Sequence, residues 1–281
     1  MKKVDFWDIP ALGELPTNER GEFYDAIAED EEKKGTAAFF GGSDSSFFEN
    51  PTLRVGILEP DGSIISATGY ARGKSIQKKK IRLYLERYFA YAMPGNDFNL
   101  QIAIRTRHQF EDQAESSEIA HTFAVDGVQG DYVNYLSEPV FSNLSVEDQL
   151  SLEIAVIFVG DKNTDRILNI INKENVKKGI VLAGTFNPIF GVVANYVRNI
   201  GSELLQTRKN KRITRENFTL VSKPGSLSIP LKEGTYVFVQ PRKDEKEFTF
   251  TGVRYDSLTD RVSVQGQPLA RNHMILRIEA Q

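Results

Sequence analysis

Beyond Pro51 the chain alternates hydrophobic and polar positions with a period of two, which puts successive side chains on opposite faces of a strand. Leu53–Leu58 (LRVGIL) opens the series, and Pro60-Asp61-Gly62 turns it into Ser63–Ala67. Lys80–Met93 fits two periods: Ile81, Leu83 and Leu85 alternate, while Ile81, Leu85, Tyr88, Phe89 and Ala92 also suit a helix. Its Tyr, Phe and Ile content favours a strand, which Met93-Pro94-Gly95-Asn96 is expected to close like a hairpin. In the next strand Phe98, Leu100, Ile102 and Ile104 share one side, and Asn99, Gln101, Ala103 and Arg105 the other. After a polar loop at Arg107–Ser117, strands are predicted at Glu118–Val125, Asp131–Leu136 and Leu150–Val159. The last of these, LSLEIAVIFV, is apolar enough to be central and buried. Further strands are predicted at Asn217–Val221, Thr235–Gln240, Glu247–Tyr255, Val262–Val264 and Met274–Glu279. Turn signals separate them at Lys223-Pro224-Gly225, Lys232-Glu233-Gly234 and Asp256–Asp260.

Helical spacing occurs in two regions. Near the N-terminus, Thr17 or Asn18 can cap a helix running to Lys34, with Phe23, Ile27 and Tyr24 on its apolar stripe. Farther on, Asp161–Glu174 places Ile167, Leu168 and Ile171 on one face. Phe190–Gln206 does the same with Val192, Val193, Tyr196, Val197, Ile200, Leu204 and Leu205, with Pro188 near its first turn.

Many short strands, turns at roughly ten-residue spacing and no βαβ rhythm predict a mainly β protein, an antiparallel β-sandwich. The sandwich domain is expected over residues 51–281, with two inserted amphipathic helices within about 161–206. Residues 1–50 form an N-terminal arm, jointed at Gly41–Ser46 (GGSDSS) and ended by Asn50-Pro51. Phe6, Trp7, Phe39, Phe40, Phe47 and Phe48 are too many aromatics for a free tail, so the arm is expected to dock on its own body or on a partner.

At 281 residues the chain can bury a large core without disulfides or metal. The absence of cysteine excludes disulfide frameworks, thiolate nucleophiles, cysteine-ligated zinc and iron–sulfur clusters. The net charge of −3 points to neither nucleic acid nor membrane for the chain as a whole. Its distribution is uneven: residues 1–50 carry five basic and twelve acidic side chains, the remainder 30 basic and 26 acidic. The opening MKKVDFWDIP has Asp5 and Asp8 where a secretory signal needs an apolar run, so a cytoplasmic location is expected. The most apolar window, Gly179–Val197, is interrupted by Thr185, Asn187, Pro188 and Asn195, which argues against a transmembrane helix.

No pattern of reactive residues names a reaction. His108, His121 and His273 lack any GxSxG, HExxH or SxxK context, and each is expected to have an ordinary surface or turn role. His108 with Glu111 or Asp112 would bind metal only weakly. Gly41-Gly42 has no Walker pattern, and Gly184-Thr185 with Gly191 reads as a flexible start to a helix before it reads as an anion site. No catalytic residue, metal ligand or cofactor is therefore assigned, although a hydrolase using two carboxylates in a cleft stays open.

Two basic clusters stand out. Arg72–Arg87 holds seven basic residues and one acidic, and Arg198–Arg215 six and one. The second continues from the amphipathic helix into Arg208, Lys209, Lys211 and Arg212. Such a combination can lie on an anionic membrane, and it is also what a core helix followed by a solvated linker looks like. No specific nucleic-acid partner is expected, because no binding motif accompanies the charge.

Leu53–Leu58, Asp148–Ile154 and Pro230-Leu231-Lys232-Glu233-Gly234-Thr235-Tyr236-Val237-Phe238 together resemble the C2-like family of β-sandwich domains. That resemblance implies a module that attaches proteins to membranes or to partners. Calcium-binding members use closely spaced aspartates, whereas Asp161 with Asp165, and Asp256 with Asp260, are the nearest equivalents here, so no metal residue is carried over. The expected function is a non-catalytic protein-interaction or assembly module, with Phe6, Trp7, Phe47 and Phe48 as anchors of the arm. The alternative is a membrane-associating or pore-forming protein whose segment 179–205 is released by a trigger such as proteolysis.

Overall fold

The computed structural model describes residues 6–33, 45–94, 97–109, 116–128, 130–133, 138–160, 205, 208–245 and 247–281. They form a mainly β protein of antiparallel sheets, with one α-helix among the described residues. Two 3-10 turns, Phe6–Asp8 and Leu12–Glu14, precede helix α1 (Thr17–Lys33), and a third, Ser45–Phe47, leads into the strands. These are β1 (Arg54–Leu58), β2 (Ile64–Ser66), β3 (Lys79–Ala90), β4 (Asp97–Gln109), β5 (Ser116–Val128), β6 (Asp131–Val133), β7 (Glu138–Val146) and β8 (Gln149–Val159). After them come β9 (Asn210–Val221), β10 (Ile229–Pro230), β11 (Gly234–Val239), β12 (Val253–Asp256), β13 (Arg261–Val264), β14 (Gln267–Pro268) and β15 (His273–Ala280). The first sheet runs β2-β1-β11-β15-β3-β6, with β7 also on β3; the second runs β10-β9-β8-β4-β5; the third is β12-β13-β14. One short pair, β10 with β9, is parallel.

The first two sheets share one apolar core. Ile81, Leu83 and Leu85 of β3, Phe238 of β11 and Leu276 of β15 meet Leu100, Ile102 and Ile104 of β4, Leu152 and Ile154 of β8 and Phe218 of β9. Their alternate positions explain why these segments read as strands. The expected hairpin at Met93–Asn96 does not form: β3 bonds to β15, β6 and β7, while β4 bonds to β5 and β8. Both strands turn their aliphatic rows toward the same core, so the chain crosses from one sheet to the other and does not fold back beside itself. Strand β7 carries no clean alternation, since adjacent Val140 and Phe141 are both buried and Asn143 takes a left-handed conformation. Irregular register against β3 at Leu83 accounts for this.

The outer faces are covered too. On the first sheet, Ile64, Val237, Val239 and Ile275 pack with Phe250, Val253, Val262 and Leu269 from the third sheet and its approaches. Gly56 makes room for this layer, because a Cβ there would stand 2.7 Å from the Phe250 ring. The predicted strand Glu247–Tyr255 is accordingly shortened to β12, with Phe248–Thr251 lying outside it. On the second sheet, Trp7 packs against Ala103, Ala120, Ala155, Ile157 and Val159. Strands β8 and β11 are thus apolar on both faces, which is why they read as continuous hydrophobic runs.

Helix α1 follows the predicted stripe. Phe23, Ala26 and Ile27 are buried at helical spacing, Phe23 edge-on to Phe158 of β8. Gly13, just ahead of α1, sits where a Cβ would lie 1.5 Å from the Glu49 carbonyl oxygen. Gly13→Ala is therefore expected to cost about 1–3 kcal/mol by forcing the turn away from Glu49, measured as a lower urea midpoint at unchanged slope. The predicted helices Asp161–Glu174 and Phe190–Gln206 lie outside the described residues, apart from Leu205, which packs on the Trp7 cluster.

Candidate interaction site

The outer face of β4, β5 and β8 is floored by small side chains. Ala103 and Ala155 are directly paired across β4 and β8, and Ala120 stands opposite Arg105 on β5. This floor leaves depth for a flat ring, and Trp7 fills it with only 2% of its surface exposed. Ile157 and Val159 complete the contact. The Arg105 guanidinium lies 4.3 Å from the indole centroid, a cation–π stack in a water-poor setting. Arg105 is itself oriented by Glu153, which accepts from Nε at 3.0 Å and from Nη2. Arg215 stands 3.8 Å from the other Glu153 oxygen and 3.9 Å from Asp8, linking the seat to the arm's surface.

Arg212 grips the main chain of the arm. It is fully buried, and its Nη1 donates to the carbonyl oxygens of Trp7 at 3.2 Å and Ile9 at 2.6 Å. Burial, with the neighbouring Arg215, pulls its pKa down to about 10, against the pull of Glu153 and Glu14, so it keeps its charge at neutral pH. Arg212→Ala is expected to cost about 1–3 kcal/mol, because two carbonyls lose a charged donor; Arg212→Lys should recover only part of it. Chemical denaturation monitored by circular dichroism measures both.

The other end of the arm is tied at Glu49. Its carboxylate accepts from Arg20 at 3.1 Å, from Lys243 at 2.7 Å and from the Tyr24 hydroxyl. Burial raises the carboxyl pKa, but the hydrogen bonds from Lys243 and Tyr24 outweigh it and hold Glu49 below its usual range. Phe48 is fully buried and meets the Tyr24 ring edge-on, and the ring of half-buried Phe47 has the guanidinium groups of Arg242 and Arg271 at 4.6 and 5.3 Å from its centroid.

Of the four expected anchors, Trp7 and Phe48 are buried against the chain's own body, Phe47 is half-buried and Phe6 begins the first 3-10 turn. Val192, Val193, Tyr196, Val197 and Ile200 lie outside the described residues. The solvated linker expected at Arg208–Arg215 is corrected: residues from Asn210 onward form the first half of β9, hydrogen-bonded to β8. Arg208 is exposed, Lys209 and Lys211 are half-buried, and Arg212 is interior. The surface or turn role expected for histidine is corrected as well. His121 and His273 are buried, and His273 stacks on Phe89 at 4.8 Å. Asp256 accepts bonds from Leu258 and Thr259 in the β12–β13 turn, and Asp260 bonds Tyr255 and Arg87. Among the described residues no group of three or more potential ligands could hold a metal ion.

The sequence places Ala103 and Arg105 on the outward row of a strand and Arg212 in a basic run, but does not show that they form a seat with Ala120 and Ala155. The signal available was the outward row of β8, where Glu153 is followed by Ala155, Ile157 and Val159, small beside charged. Among the described residues no helix is long and apolar enough to cross a membrane. No known protein family, curated protein or solved structure matches the chain.

Proposed function

We propose that the chain is a non-catalytic protein-interaction or assembly module built on a C2-like β-sandwich, whose N-terminal arm seats in its own body or in that of a neighbour. The observation that supports this reading is the Trp7 seat. It recognises one indole, held by the alanine floor and Arg105, and two main-chain carbonyls, held by Arg212. A seat of this kind would accept the same segment from a second copy with the same contacts, which is the logic of exchange between identical protomers. An apolar ring supplies the affinity, and a buried cation fixes the register of the segment.

Light scattering across a concentration series tests the proposal. The full chain is expected to rise above its 31.6 kDa mass with concentration. A peptide covering residues 1–16, added in excess, should compete the mass back down. Because Trp7 is the sole tryptophan, a chain labelled with 5-fluorotryptophan gives one fluorine NMR resonance, to which the unlabelled peptide adds nothing; it should shift toward that of exposed indole as the peptide displaces it. A constant monomer mass, with the resonance unmoved by the peptide, would remove the assembly reading.

A further inference from the structure

Two exposed faces of opposite charge remain outside the seat. The first is a basic strip: Arg72, Lys74, Lys78, Lys79, Lys80 and Arg82 are all exposed, and residues 71–82 contain no acidic side chain. The backbone beneath it is fixed. Ser75 bridges to Lys232, the Ile76 N–H donates to Leu231, the Lys78 N–H donates to Glu147, and Lys79 and Lys80 pair with Val146 and Ser145 of β7. Lys78 holds its place at φ 49°, where Gly or Asn would cost less.

The second face is on α1. Glu22, Asp25, Glu29 and Glu32 are exposed and spaced i, i+3, i+7, i+10, so they form one stripe, turned away from buried Phe23 and Ile27. Like charges at these spacings repel one another and weaken the helix that carries them. Glu22, at one end of the stripe, also feels the charge of Lys211 on β9.

The two faces match in length as well as in sign. The acidic stripe spans about 15 Å at 1.5 Å per residue. The run from Lys78 to Arg82 spans about 13 Å in a strand. We propose that the basic strip of one copy receives the acidic stripe of α1 from a second copy. This contact rests on the assembly reading and extends it: the seat holds the arm's first turn, and the strip would hold the outer face of its helix. The two surfaces differ, so the contact is heterologous and either closes as a ring or pair or grows head to tail.

Sedimentation velocity of the full chain, at about 50 and 500 mM NaCl, reads the contact through its screening. The expected result is association at low salt that weakens severalfold at high salt. Lys78→Glu, Lys79→Glu and Lys80→Glu together should abolish this salt-dependent part, as should Glu22→Lys, Asp25→Lys and Glu29→Lys together. Mixing the two triple variants should restore it. Reversing exposed Arg54, Arg208 and Arg261 to Glu changes net charge equally and should leave association unchanged. Absence of association at low salt, or equal loss in the control triple, would overturn the contact. The seat fails separately: its association is apolar, persists at high salt, and answers to the 1–16 peptide and not to the lysine reversals.

Discussion

Trp7→Ala is expected to lower the free energy of unfolding by about 3–5 kcal/mol, the range for emptying a buried large aromatic site. The effect is large because the indole stands on Ala103, Ala120 and Ala155, side chains too short to refill the space it would leave. Arg105 loses its cation–π partner, and the turn that presents the Trp7 and Ile9 carbonyls to Arg212 loses its anchor. For a chain of this size the loss corresponds to a fall in Tm of about 6–20 °C. Trp7→Phe keeps a ring over the floor and should cost well under half as much. Differential scanning calorimetry of the three proteins decides the matter. Equal stability of Trp7→Ala and the parent would mean that the indole spends its time out of the seat.

Much of the strand content was legible because burial writes itself into alternation. Strand β4 shows Phe98, Leu100, Ile102 and Ile104 inward, and β15 shows Met274, Leu276 and Ile278. Pairing was less legible. Met93-Pro94 signals a reversal of the chain, and a reversal serves a hairpin within one sheet and a crossing between two sheets equally well. The choice depends on which rows face each other, a relation between distant segments. Strand β7 was hidden by the left-handed Asn143 and its adjacent buried pair Val140 and Phe141.

The candidate site was half legible. Trp7 and Phe48 stood out because an acidic tail has no reason to carry large rings. Their receptor did not, because alanine is neutral in any hydrophobicity pattern and becomes informative only once Ala103 and Ala155 are seen side by side. Arg212 was read with its basic neighbours as a cationic segment, lying on a membrane or in a solvated linker. A strand alternates whatever its charge, and the position facing the docked arm happened to hold the arginine that caps the arm's carbonyls.

Acidification from pH 6.5 to 5 is expected to destabilise the protein through His273, with a total loss of about 3 kcal/mol by pH 4. The ring is buried at the junction of the first and third sheets. Its Nδ1 lies 2.9 Å from the Arg271 carbonyl, which can only accept, so Nδ1 carries the hydrogen. Nε2 then accepts from the Tyr132 hydroxyl at 3.1 Å, and that hydroxyl accepts from the Val262 N–H of β13 at 3.1 Å. Burial holds the imidazole pKa at about 4, although the Arg271 carbonyl pulls it upward. The unfolded chain takes up a proton near pH 6.5 while the folded chain refuses it until about pH 4, so stability falls by about 1.4 kcal/mol per pH unit within that window. Above pH 6.5 both states are neutral and His273 contributes no slope. The depressed carboxyl of Glu49 adds loss only lower down, and Glu216, whose burial raises its pKa, works in the opposite direction. Urea unfolding of the parent and of His273→Gln at pH 7, 6 and 5 isolates the imidazole. The variant should begin less stable, having lost the stack on Phe89, and should show a flatter dependence between pH 6.5 and 5. Parallel curves would mean that His273 titrates at its ordinary value, and with it that the third sheet opens to water at the Tyr132–Val262 link.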